Sequence, residues 1–228
     1  MDAQDRMLGA FLDAPFVEDG WMTALHQLAV ATRSSRAQLI GIGRSEATFN
    51  RMTDIGPEYQ DDFTAIEAYR PDVNWRIAAS GGVLGVVSEA EYAVARRQLR
   101  SDVYDDHCRK WGGLYGAQTV LAQTPGDLIG LAILRDEHEG VTAEEDRAAF
   151  LAGAMQAQAA VRMQRAMADR GSQLLTMAFE GLGLAAWLLD RKGHVLAMTM
   201  GAEQMLTRGG ILSKAGNRLV ARRDDAAL

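Results

Sequence analysis

The chain has 228 residues, enough for one large or two small domains, and 48% of them are hydrophobic at a mean hydropathy of −0.12. Such a composition excludes intrinsic disorder. With 24 basic against 30 acidic residues the net charge is −6, which gives no electrostatic footprint for a phosphate backbone. A single cysteine, Cys108, excludes an internal disulfide and a cysteine-built zinc site. No apolar run reaches the ~20 residues of a membrane helix, so a cytoplasmic protein without membrane contact is expected.

Two helices are predicted first, over about Asp2–Leu12 and Glu18–Arg33, the second with Trp21, Leu25 and Leu28 on one stripe. A strand at Ala37–Ile42 and a weaker one near Thr48–Asp54 follow. Pro57 suits the first turn of a helix whose face carries Tyr59, Phe63, Ile66 and Tyr69, interrupted by Pro71. A short helix is predicted at Asp72–Ala79 and a strand at Val83–Val87. Ser88 and Glu91 form a capping-box pattern before a helix to about Leu99, and Ser101-Asp102 starts another to about Trp111. Two strands, Leu114–Gln123 and Leu128–Leu134, flank a Pro125-Gly126 turn.

Thr142 and Glu145 form a second capping-box pattern and open a long helix to about Phe179. After it, Leu184–Leu189 and His194–Met198 read as a hairpin around 190–193, then a helix at Ala202–Thr207 and a strand at Arg218–Ala221. The order predicts an α/β (α+β) fold, an antiparallel sheet flanked by helices, and not a parallel doubly wound sheet.

Catalytic chemistry finds little support. His26, His138 and His194 are scattered over separate elements, and Asp102, Asp105, Asp106, His107 and Cys108 point several ways around one helix. Asp105 and Arg109 are spaced as a surface ion pair. Cys108 shares a face with Tyr104 and Trp111, which favours burial as a small hydrophobe, with redox sensing as the alternative. The Gly41–Gly43 segment lacks the third glycine of a nucleotide fingerprint. No catalytic residue, metal or cofactor is therefore expected, and the protein is not read as an enzyme. Aromatic residues with polar neighbours do concentrate between Tyr59 and Tyr115. Tyr69, Asp72, Trp75, Arg76, Tyr92, Tyr104, Trp111 and Tyr115 are the candidate ligand-binding residues, with ordinary core packing as the other reading.

Three stretches, Pro57–Trp75 (PEYQDDFTAIEAYRPDVNW), Asp102–Gly116 (DVYDDHCRKWGGLYG) and Leu128–Phe150, resemble the GAF-like sensor domain of LuxR-type helix-turn-helix regulators. Gly181–Leu206 resembles the opening of a PAS-like domain. The resemblance implies a GAF-like sensor domain over 1–141, a connecting and dimerising helix over 142–180, and a partial PAS-like segment over 181–228. It also implies a small-molecule ligand, a homodimer, and DNA contact only through a C-terminal domain beyond Leu228. The family's Asp-Pro step is inverted here as Pro71-Asp72, which argues against an acyl-homoserine lactone.

The dimer seam is predicted along the long helix at Phe150, Ala154, Ala157, Val161, Ala168 and Leu175, which recur mainly at three and four. The function read from the sequence is a ligand-sensing, dimerising regulatory module. The alternative is a ligand-free dimerisation or protein-interaction scaffold.

Overall fold

The computed structural model describes residues 2–43, 46–190, 193–209 and 211–221. The chain divides into two compact units, Met1–Arg162 and Met163–Leu228. In the first, α1 (Ala3–Asp13) and α2 (Gly20–Ala31) precede β1 (Arg36–Ile42) and β2 (Ala47–Met52). Four helices follow: α3 (Pro57–Ala65), α4 (Trp75–Ala78), α5 (Glu89–Leu99) and α6 (Asp102–Trp111). Then come β3 (Tyr115–Thr124), β4 (Asp127–Arg135) and the long helix α7 (Glu144–Gly181), whose residues from Met163 on belong to the second unit.

The sheet has the order β2-β1-β4-β3, and every neighbouring pair is antiparallel. This is the expected mixed α/β architecture. Alternate side chains of a strand point to opposite faces, and two cores result. On one face Ala37, Leu39, Leu131 and Ile133 pack with Leu25, Leu28, Phe11 and Phe150. On the other, Ala132 and Leu134 pack with Phe63, Trp75, Tyr92, Tyr104 and Cys108, supplied by α3 to α6.

Several local expectations are corrected. Val83–Val87 forms no strand: Leu84 takes φ 60° and Gly85 closes a turn onto Gly82, so the segment meets β3 at isolated bridges, Val83 to Val120 and Val87 to Gln118, and where the Thr119 hydroxyl donates to the Gly85 carbonyl. Helix α3 stops at Ala65, because Glu67 adopts φ 53° and the Ala68 N–H turns back to the Phe63 carbonyl. Ile66 and Tyr69 therefore lie beyond it. Helix α4 starts only at Trp75, where the Asn74 side chain accepts from the Arg76 and Ile77 amides.

The Ser88 amide does donate to Glu91 Oε2. The second capping box does not form. The Thr142 hydroxyl donates to Glu89 Oε1 at 2.7 Å instead, and Glu145 pairs with Arg33 at 3.0 Å. The start of α7 is held chiefly by Asp146, which pairs with Arg33 and with the buried Arg135.

In the second unit, β5 (Trp187–Leu189) pairs with β6 (Val195–Met198), α8 (Met200–Thr207) follows, and β7 (Leu212–Ala215) pairs with β8 (Arg218–Ala221). Strand β7 was not foreseen. Arg191 and Lys192 of the predicted turn lie outside the described residues, as do Arg222 and Arg223. No helix among the described residues is long and apolar enough to cross a membrane.

Candidate functional site

Between the sheet and the helices on its second face lies a cavity of about 40 Å³, room for a few waters. Ile40, Ile42, Leu128 and Ala132 line it from the sheet, and Phe63, Asn74, Arg76, Ile77 and Tyr104 from the helices. Ile42, Ile77 and Leu128 also border an outer cleft of about 270 Å³ that reaches Tyr69 and Pro71. These three apolar side chains thus border both the inner pocket and the surface cleft.

The chemistry of the inner pocket centres on Arg76, which is 4% exposed. Its Nη2 donates to the Gly113 carbonyl at 2.7 Å and the Tyr115 carbonyl at 2.5 Å, while Nη1 reaches only the Tyr92 hydroxyl, at 3.5 Å. Among the described residues its Nε has no partner. The guanidinium lies 4.6 Å from the Tyr92 ring centroid and 5.5 Å from that of Trp75. Trp75 is fixed in turn by donation from its indole N–H to Asp105, which also pairs with Arg96.

The eight candidate ligand residues are therefore distributed unevenly. Trp75, Arg76, Tyr92, Tyr104 and the Tyr115 carbonyl meet in one cluster, of which Arg76 and Tyr104 line the cavity. Tyr69 borders the outer cleft. Asp72 forms a surface ion pair with Arg70 at 2.5 Å. Trp111 belongs to a neighbouring group, donating to Asp62 at 2.6 Å. Sequence reasoning missed Ile40, Ile42, Ile77 and Leu128, which read as plain strand and helix apolars, although strand alternation puts Ile40, Ile42 and Leu128 on the helix-facing side.

Cys108 is buried beside Tyr104, and burial pushes its thiol up to about 11. A thiol so protonated is a poor nucleophile, so the packing reading holds. The expected pairing of Arg109 with Asp105 is replaced by Arg109 with Asp106. Among the described residues no group of three or more His, Cys, Asp or Glu side chains could hold a metal.

His107 is buried, with Nδ1 3.0 Å from Asp62 Oδ2, Nε2 without a partner among the described residues, and the rings of Tyr59 and Tyr104 against it. Burial lowers its pKa, against the opposing pull of Asp62. A depressed imidazole binds its proton more readily in the unfolded chain, so stability falls as pH drops below the ordinary value of 6.5. The Trp111 and His107 hydrogen bonds hold Asp62 below 3.8, which adds a second loss only at more acid pH. The urea midpoint of the wild type is expected to fall between pH 7 and 5, and His107→Gln to flatten that slope. A wild-type midpoint flat over this range would mean that the folded ring carries its charge.

The predicted dimer seam is corrected by burial. Phe150, Ala154 and Ala157 are fully enclosed in the first unit's own core, and Val161 nearly so. They cannot meet a partner helix. Ala168 and Leu175, in the second unit, are exposed.

The sequence matches no protein-family model and no curated protein. Among solved structures, the VqsR LBD domain from Pseudomonas aeruginosa superposes on 72% of this chain and 97% of its own, with a TM-score of 0.52 at 14% identity. The fold is similar to that of the VqsR LBD domain. A weaker likeness, TM-score 0.48 at 14% identity over 72% of this chain and 99% of the other, is to CepR2 from Burkholderia cenocepacia, an N-acylhomoserine lactone dependent LuxR family transcription factor.

Proposed function

We propose that the chain is a small-molecule sensing and dimerising module of the LuxR type, with a GAF-like first unit and a PAS-like second, and that it catalyses no reaction. The observation that carries this reading is the buried pocket around Arg76, set behind Ile42, Ile77 and Leu128 in a fold similar to an LBD domain. An orphaned buried donor is costly unless something fills its site.

A route from pocket to α7 is also present. Arg76 holds the Tyr115 carbonyl, the next amide, Gly116, donates to Glu89, and Glu89 Oε1 accepts from both the amide and hydroxyl of Thr142, two residues before α7. Burial raises the Glu89 pKa, but the Thr142 and Gly116 hydrogen bonds outweigh it and keep the carboxylate charged. A ligand acts only if it binds one arrangement of this chain of bonds more tightly than another.

Self-association then falls to the exposed side of α7. Beyond Arg162, Met163, Met167, Leu174 and Met177 are exposed and recur at four, seven and three. The scaffold reading draws on one observation, the small volume of the inner cavity. Thermal denaturation against a metabolite library separates the two. A ligand at 100 times its Kd adds about 2.7 kcal/mol, roughly 5–10 °C for a unit of this size. Leu128→Trp, which fills the passage, should abolish the shift. A library without effect, or a shift untouched by Leu128→Trp, favours the scaffold.

A further inference from the structure

Arg76 poses a problem of charge as well as of hydrogen bonding. Its guanidinium is inside the protein, yet among the described residues no carboxylate forms an ion pair with it. Its acceptors are two backbone carbonyls and a distant phenol, all neutral. Buried arginines are ordinarily paired, because an uncompensated charge in a low-dielectric interior is expensive. The donors left over are Nε–H, with no acceptor, and the Nη1 group, held only by the long Tyr92 contact. Both belong to a side chain that lines the cavity.

From this, and resting on the small-molecule reading above, we infer that the ligand is a monoanionic amphipathic carboxylate: its carboxylate meets Arg76, and its apolar body passes Ile42, Ile77 and Leu128 toward the outer cleft. One unneutralised positive charge matches one negative charge, and charge-assisted hydrogen bonds are the stronger kind. A phosphate dianion would leave a net negative charge in the same place. The remaining wall is apolar or neutral. Ile40, Ile42, Leu128 and Ala132 suit a hydrocarbon or aromatic body, and among the described residues no acidic side chain lines the inner pocket to repel the anion. The inner cavity alone is too small for such a molecule, so Ile42, Ile77 and Leu128 must turn aside, opening it to the cleft beside Tyr69 and Pro71. A neutral ligand could fill this space, but it would leave the buried charge with ring faces and carbonyls alone and no counter-ion.

The test titrates the full chain with straight-chain carboxylates of four to twelve carbons and with simple aryl carboxylates, each beside its primary amide. Calorimetry and thermal shift are the readouts. At least one carboxylate is expected to bind ten times or more tightly than its amide, with binding lost in Leu128→Trp and the preference for the acid lost in Arg76→Met. Arg76→Met strands two carbonyls and can fail to fold, so the acid–amide ratio in the wild type and the effect of Leu128→Trp decide the matter without it. Equal binding of acid and amide overturns the anion assignment while leaving a small-molecule site in place. Binding of neither series, or carboxylate binding that survives Leu128→Trp, overturns the assignment as well. The metabolite library then judges the sensing reading separately.

Discussion

Ala157→Glu is expected to destabilise the first unit strongly, whatever the chain's oligomeric state. Ala157 has no exposed surface and sits among Phe150, Ala154 and Val161 against the sheet. A glutamate there overfills a close-packed interior, which costs about 1–3 kcal/mol. It also carries a polar group into surroundings where the described core cluster is apolar, which costs roughly another 1–3 kcal/mol even if the carboxyl becomes protonated. Set against a total of about 5–15 kcal/mol for a typical domain, a loss of about 2–6 kcal/mol removes a large share of the stability. Met167→Glu is the control, because Met167 is exposed. Its effect on stability should stay within about 0.5 kcal/mol, while light scattering should move from twice the 24.8 kDa chain mass toward the monomer. Circular dichroism and scattering on the two variants separate packing from association. A folded, monomeric Ala157→Glu would restore the seam that burial excludes.

The second large effect is expected at the junction of α7 with the sheet. Arg135 on β4 donates to the carbonyls of Thr32, Arg33, Glu139 and Gly140 and to Asp146 at 3.3 Å. Both members of the ion pair are buried, at 8% and 4% side-chain exposure. Removing one partner leaves the other charged and uncompensated, which in such sites costs about 3–5 kcal/mol. Asp146→Ala is therefore expected to lower the urea midpoint sharply, with Asp146→Asn intermediate because the amide still accepts one bond. Glu145→Ala, which breaks only the exposed pair with Arg33, should change little. If Asp146→Ala and Glu145→Ala proved alike, α7 would be anchored by apolar packing alone.

The contrast between these two sites shows what was legible in the sequence. Helix and strand periods placed the four strands of the main sheet and the long helix closely, since each is long enough to repeat its pattern. Ala157 was on the right stripe of α7. Periodicity reports that a face is covered, but not whether the cover is the chain's own sheet or a second copy. Small residues such as Ala154 and Ala157 suit either. Glu67 and Leu84 defeated the reading because their positive φ values are imposed by tertiary closure and carry no glycine signal. Thr142 and Glu145 had the spacing of a cap, yet Glu89, 53 residues earlier in the chain, captured the Thr142 hydroxyl.

At the site, polar-tipped aromatics pointed to the right region, and Arg76 and Tyr104 do line the cavity. Asp72 and Trp111 found partners elsewhere, in Arg70 and Asp62. The unpartnered Nε of Arg76 could not be foreseen, because a missing partner is a property of three-dimensional packing.

The central claim is that the space behind Ile42, Ile77 and Leu128 is a binding site and not a packing fault. Native mass spectrometry of the full chain, incubated with a metabolite extract of the cells that make it, addresses this most directly. The expected result is an added mass of a small molecule, released on denaturation and missing from Leu128→Trp. A bare 24.8 kDa chain under the same conditions, or an added mass that Leu128→Trp retains, would contradict it.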